Sequence, residues 1–362
     1  MSSSGSVWVA ELGGRLWTAV AGGDENAAVG VIEDALDAGH DRETLLLEVI
    51  GAVQTRVGAA WAANRMSVAQ EHAATAINER AIAAVVHRHG VSADSVRGRI
   101  TVSCVEGEWH SLPARLVAEV LRLRGWQVDY LGAQTPTSHL IAHLHATNPH
   151  VVLLSSSLPT HLPAAHAAIA ACQAVGIPVL VGGRAFGADG RYAHAFGATR
   201  WAANARDAAC ALDAGLPRPD PTSARQAVDD LPHLSDQEYT MIGRSRGQLV
   251  KQALVGLEDR FPAMRSYSDD QRERTAEDLA HIVDFLTTAL YVDDPDLFTT
   301  FVTWTADILR ARAVPVHSLT TGLAVLTEQL RDFPRATALL GQATARLTGP
   351  ATPSAPEPGS HG

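Results

Sequence analysis

The sequence predicts an α/β module flanked by two all-α modules, and three observations carry that expectation. Residues 7–95 and 234–348 repeat apolar side chains at spacings of three and four. Residues 96–215 instead alternate short, continuously apolar runs with helix-length segments. Between the second and third modules, residues 216–233 hold Pro217, Pro219, Pro221 and Pro232 among polar residues, which reads as a linker.

In the first module, Val7–Val20, Asp24–Ala38 and Arg42–Ala62 read as helices. Leu45, Val49, Val53 and Val57 mark the buried stripe of the third. Gly22-Gly23 and Gly39 read as helix stops. Ser67, with Gln70 three residues on, is a capping box that starts a fourth helix. Four short-linked helices imply a small bundle.

In the second module the apolar runs are Arg99–Val105, Gln127–Leu131, Val151–Ser155, Pro178–Val181 and Thr199–Ala202. They do not alternate with polar residues, as strands of a parallel sheet covered on both faces should not. Five strand–helix units predict a flavodoxin-like, doubly wound five-stranded sheet. Such sheets bind ligands at the carboxyl ends of their strands. The third module returns to helical period over Gln237–Arg260, Ser268–Tyr291, Asp296–Arg312 and Ser318–Leu330, followed by a last short helix. Residues 349–362 are rich in Pro, Ser and Gly and read as a disordered tail.

With 362 residues, 46% of them hydrophobic, the chain can build two or three cores. A net charge of −10 argues against a nucleic-acid partner. Cys104, Cys172 and Cys210 form no CxxC pair and read as reduced core thiols. No signal peptide is evident and no apolar run reaches about 18 residues, so a cytoplasmic protein with no membrane span is expected.

One constellation stands out at the strand ends. Glu108-Trp109-His110 follows the first strand. Neutral imidazole suits a transition metal such as cobalt, and a ligating His usually donates its other N–H to a carboxylate. Glu108, two residues away, can accept it. Ser155 and Ser157 end the third strand and Gly182-Gly183 the fourth, on the same edge of the sheet. Taken singly, each of these is an ordinary polar loop.

Together they resemble the base-off, His-on B12-binding domain, whose pattern runs D/E-x-H-x-x-G, S-x-L, G-G. Glu108, His110, Ser155 and Gly182-Gly183 fill its places. Pro113 stands where that family has Gly, and Ser157, or Leu158 in a shifted register, takes the Leu place. The resemblance implies cobalamin as cofactor and His110 as the lower cobalt ligand. It implies Glu108 as the orienting group, with Ser155, Ser157, Gly182 and Gly183 around the nucleotide tail.

Trp61, nine intervening residues, then Glu71-His72 form a second set. A Trp in a bundle is ordinarily core. The spacing resembles the helical cap of light-sensing B12 photoreceptors, which implies adenosylcobalamin with Trp61, Glu71 and His72 over its upper face. Ala62 stands where DNA-binding relatives carry a His that captures cobalt after light. The order of cap, B12 domain and globin-like helical domain further resembles the photocobilins, which add a biliverdin-type bilin. The third module has no cysteine, so the bilin would be non-covalent. Arg244, Arg265, Tyr267, His281, Asp284 and Trp304 are its candidate contacts; a dimerisation or signalling bundle with solvated arginines is the competing account.

The resulting expectation is a signalling photoreceptor rather than an enzyme. Light would break the Co–C bond and change domain or oligomer arrangement, through an output protein the sequence does not name. The alternative is a corrinoid carrier protein for a methyltransferase system.

Overall fold

The computed structural model describes residues 3–87, 97–219 and 236–349. Apart from 216–219 and 349, the linker assigned to 216–233 and the tail at 349–362 lie outside the described residues. The chain divides into two compact units, Met1–Leu234 and Ser235–Gly362.

The first unit opens with helices α1 (Ser3–Gly22), α2 (Glu25–Asp37), α3 (Arg42–Thr44), α4 (Gly51–Ala62) and α5 (Val68–His87). Between α3 and α4 the helix widens to π geometry over Leu45–Ile50, so residues 42–62 form one continuous rod. Local chemistry sets the boundaries. The Asp24 carboxylate accepts from the Ala27 N–H, and Asp41 does the same for Thr44. Gly23 and Gly39 leave their helices at φ +73° and +78°. Ser67 and Gln70 exchange the two hydrogen bonds of the expected capping box, at 2.9 and 3.2 Å.

By length and composition the 42–62 rod is apolar enough to cross a membrane, which the sequence reading did not anticipate. Leu45, Leu46, Val49, Ile50, Val53 and Val57 are nevertheless buried in the bundle core, together with Leu16, Ile32 and Ile82. The rod's apolar character is that of a central packing helix.

The sheet has the order β2-β1-β3-β4-β5, every pairing parallel. Its strands are β1 (Arg99–Cys104), β2 (Gln127–Gly132), β3 (Val151–Ser155), β4 (Val179–Gly182) and β5 (Arg200–Ala202). This is the flavodoxin-like order, and the switch point, where ligands bind, lies between β1 and β3. Helices α6 (Leu112–Leu123), α7 (Thr137–Thr147), α8 (Leu162–Ala174), α9 (Arg191–Ala195) and α10 (Ala205–Ala214) complete the doubly wound domain. Pro113 sits in the first turn of α6, where its missing N–H costs nothing. Cys104 and Cys172 are buried, but Cys210 is exposed on α10, contrary to the expectation of three core thiols. Sheet and bundle share the core around Leu112, Leu116 and Val120 of α6.

A charged clasp also joins them. Glu43 of α3 accepts from Arg124 Nε and Nη2, each at 2.9 Å, and from Arg206 Nε at 3.0 Å. Arg206 reaches Glu48 in the π segment at 2.7 Å. The Arg124 hydrogen bond holds Glu43 below the usual carboxylate range, against its partial burial.

The second unit contains α11 (Glu238–Arg260), α12 (Asp269–Val292), α13 (Pro295–Ala311), α14 (His317–Gln329) and α15 (Pro334–Thr348). Phe285 and Phe301 stack at 3.7 Å, and Tyr239 meets Tyr291 edge-on at 4.9 Å. Buried Glu238 accepts from the Arg335 and Ala336 N–H groups at the start of α15.

Replacing Glu43 by Ala strands Arg124 and leaves Arg206 with Glu48 alone. The expected loss is about 1–3 kcal/mol, read as a lower midpoint in thermal unfolding. Because the folded pKa is depressed, Glu43's contribution is present above the ordinary carboxylate range. It fades as pH falls through the lowered value.

Candidate functional site

At the switch point, one buried carboxylate joins the loops after β1 and β3. Glu108 is fully buried. Its Oε1 accepts from the His110 backbone N–H at 2.8 Å and from His110 Nδ1 at 2.6 Å. Its Oε2 accepts from the Ser157 and Leu158 N–H groups at 2.6 and 3.1 Å, and from the Ser156 hydroxyl at 3.4 Å. The Glu108 carbonyl also accepts from Gln134 N–H beyond β2 at 3.0 Å.

Burial alone would raise the Glu108 pKa. The His110 ring and backbone N–H and the Ser157 N–H outweigh it and hold the carboxyl at about 2. The same ring hydrogen bond raises the His110 pKa above its ordinary value of 6.5, against partial desolvation. The charges of Glu108 and Glu71 add to the rise, and Arg184 opposes it. Glu71 of α5 and Arg184 beyond β4 therefore lie within electrostatic reach of the imidazole.

With Nδ1 committed to Glu108, Nε2 is the nitrogen left to bind a metal. The His110 side chain is 56% exposed. Trp109 beside it is 72% exposed, and Leu158 and Val68 are further exposed large apolar side chains. Among the described residues no three His, Cys, Asp or Glu side chains gather to hold a bare ion. A single oriented imidazole with apolar neighbours suits a metal whose equatorial positions a macrocycle already fills, as in a corrin. In such a complex His110 Nε2 would be the lower ligand, and the corrin would supply the cobalt.

The other expected residues have these contacts within the protein. Ser157 serves Glu108 through its backbone N–H. Ser155 ends β3, and its carbonyl accepts from Val105 N–H at 3.1 Å. Ser156, which sequence reasoning passed over, is the buried serine whose hydroxyl reaches Glu108. At Gly182-Gly183 the fold itself leaves no room for a side chain. A Cβ on Gly183, at φ +101°, would lie 2.2 Å from the Ser156 carbonyl oxygen, and one on Gly182 3.1 Å from that of Ala202.

On the lid, α4 and α5 run antiparallel through a short turn. Gln54 of α4 touches Thr75 and Asn78 of α5. That register sets Trp61, two turns beyond Gln54, opposite the first turn of α5, where Glu71 and His72 stand. Trp61 packs partly buried against the bundle core. His72 Nδ1 lies 2.8 Å from the Val68 carbonyl and 3.2 Å from Glu71 Oε2. Ser111 Oγ, next to His110, reaches Glu79 Oε1 at 3.5 Å. The face of α5 from Glu71 to Glu79 thus runs along the His110 loop.

The expected bilin contacts do not converge. Arg244, Arg265 and His281 are exposed, and so is Trp304. Asp284 is paired to Arg246, with a 2.8 Å contact to its Nη2. Only Tyr267 of the six lines the cavity between α11, α12, α13 and α14. That cavity is about 80 Å³ and is walled by Leu257, Phe261, Met264, Leu279 and Leu309 among others. Helical period identified these helices, but not which of their polar side chains would face inward.

The fold and site define a lidded α/β domain with one carboxylate-oriented imidazole at its switch point. Residues 98–213 match the model of a B12 binding domain, and residues 13–85 match a second B12 binding domain model. Cobalamin binding is the property both matches support. Among solved structures the chain is similar to a monomethylamine corrinoid protein of Methanosarcina barkeri, at 18% identity and TM-score 0.48. That match covers 55% of this chain and 96% of that one. A cobalamin-binding protein from Desulfitobacterium hafniense DCB-2 matches at 20% identity and TM-score 0.31, covering 56% and 97%. The methanol:cobalamin methyltransferase complex MtaBC of Methanosarcina barkeri matches at 20% and 0.31, covering 60% and 84%. No curated protein matches.

In the cobalamin-free protein, the His110 ring nitrogens should titrate by NMR with a midpoint above 6.5, and Glu108→Gln should lower it. With the folded pKa raised, the stability His110 supplies is complete below 6.5 and lost as pH rises through the raised midpoint. An unchanged midpoint in Glu108→Gln would remove the carboxylate as the cause.

Proposed function

We propose that this protein is a light sensor that holds adenosylcobalamin between the sheet edge and the helical lid. What carries this reading is the α4–α5 register, which sets Trp61 opposite the start of α5 where Glu71 and His72 stand, with Glu71 in electrostatic reach of His110. Bound there, the cofactor supplies a cobalt–carbon bond that light can cleave. The chain's own residues do the rest. His110 holds the lower face, with Glu108 fixing its tautomer. Trp109, Leu158 and Val68 give apolar cover. Trp61, Glu71 and His72 enclose the upper substituent. A change in that substituent would alter its contacts with Trp61, Glu71 and His72, and such differential contact can shift the position of the lid on the sheet and with it an interface.

The all-helical unit after residue 235 supports a second chromophore in the same reading. Its apolar cavity, bordered by Tyr267 and the Phe261–Tyr267 segment, is the proposed seat of a non-covalent bilin. At about 80 Å³ the cavity is far smaller than the roughly 300–1,000 Å³ of formed ligand pockets. A bilin must widen it.

A corrinoid carrier serving a methyltransferase is the second reading. It needs the same imidazole and lid. The names of the similar structures fit it better than they fit a sensor, though at 18–20% identity they bear on the fold alone.

Full-length protein loaded with adenosylcobalamin in the dark should bleach under green light and change its elution volume. His110→Ala should weaken cobalamin retention at least about ten-fold, as expected for loss of a metal ligand or its support. A spectrum indifferent to light, together with methyl transfer to a partner enzyme, would establish the carrier instead.

Added biliverdin should give a red-absorbing band that is absent when residues 235–347 are deleted. A band that survives the deletion would place the bilin elsewhere.

A further inference from the structure

The bundle interior carries a hydrogen-bond chain that its packing does not explain. Asn78 Nδ2 donates to Gln54 Oε1 at 2.7 Å, and Gln54 Nε2 donates to Thr75 Oγ1 at 2.8 Å. The Thr75 hydroxyl then donates to Glu71 Oε1 at 2.9 Å. Every link points the same way. The Thr75 hydroxyl has its one proton on Glu71, so it must accept from Gln54. Gln54 therefore turns its amide NH2 to Thr75 and its carbonyl to Asn78.

This chain is expensive. Asn78 is fully buried among Ile77, Ala81 and Ile82, and its Oδ1 has no hydrogen-bond partner. A buried unsatisfied carbonyl is unfavourable, and apolar side chains at 54, 75 and 78 would serve a helix interface at least as well. What the chain does accomplish is orientation. It pins Glu71 Oε1 and leaves Oε2, 3.2 Å from His72 Nδ1, as the oxygen available at the mouth.

Glu71, Thr75 and Glu79 follow at four-residue steps along one face of α5. That face borders the His110 loop, through Glu79 and Ser111 at one end and the Glu71 charge at the other. We propose that Gln54, Thr75 and Asn78 are positioning residues that orient Glu71 to accept a hydrogen bond from a hydroxyl-bearing upper substituent. They thereby set the preference for such a cobalamin over one carrying a small upper ligand. This rests on the reading that Glu71 faces the upper side of the corrin.

The test uses the full chain in the dark, with adenosylcobalamin and methylcobalamin, whose small upper ligand has no hydrogen-bond donor, as probes and dissociation constants from equilibrium dialysis. Thr75→Val exchanges one hydroxyl for a methyl, and Gln54→Leu removes the middle link. Each should weaken adenosylcobalamin binding about ten-fold, equivalent to about 1.4 kcal/mol, while methylcobalamin changes less than about two-fold. Thr75→Ser should restore the wild-type ratio of the two constants. A merely structural role would shift both constants together; equal losses, or no loss with either probe, overturn the proposal. Should Gln54→Leu fail to fold, the Thr75 pair decides alone. His110→Ala is the control for the lower face and should weaken both probes alike. A wild-type protein with no preference between the probes would defeat the upper-face reading itself and this proposal with it, an outcome separable from a failure of the variants.

Discussion

The site depends on a single buried carboxylate. Glu108 sits where the strand order reverses, and its two oxygens divide their work. One holds the backbone and ring of His110, and the other holds the turn from Ser156 to Leu158. Charge-assisted bonds of this kind are worth roughly 1.5–3 kcal/mol each, though not additively. Their number explains how a charge survives complete burial beside the Cys104 thiol, whose own pKa burial and the Glu108 charge push up to about 12. Imidazole orientation and loop shape are therefore one property. Disturbing the β3 turn disturbs the imidazole.

Gly183 extends that dependence to the fourth strand. Its backbone lies against Ser156 too closely for any side chain, and Ala185 N–H closes on the Ser156 carbonyl at 3.2 Å. The loops after β1, β3 and β4 thus form one interlocked rim. Above it the lid is held in two ways. Apolar packing around α6 and the Glu43–Arg124–Arg206–Glu48 clasp tie it to the sheet domain. The α5 face from Glu71 to Glu79 meets the His110 loop.

The C-terminal unit follows a different logic. Its aromatic pairs and buried Glu238 stabilise a helical core with a small apolar cavity, and its arginines largely serve surface ion pairs such as Arg246–Asp284 and Arg260–Glu328. Any chromophore it takes must compete with that packing.

Local rules made much of this legible in the sequence. Strand and helix periods, the Ser67–Gln70 box, the glycine stops and the Glu108–His110 pair all act over a few residues, so the chain alone determined them. It also determined the parallel sheet, because runs apolar on both faces can be satisfied only between two helical layers. Tertiary structure alone decided the rest. That the Ser156 hydroxyl reaches Glu108, that a Cβ on Gly183 would meet the Ser156 carbonyl, and that Cys210 faces outward all depend on packing between distant segments. The same is true of the Asn78–Gln54–Thr75 chain and of the bilin candidates, of which Tyr267 lines the cavity while Arg244, Arg265, His281 and Trp304 are exposed. Periodicity tells which face of an element is buried; only the packed neighbours tell which polar atom finds a partner there.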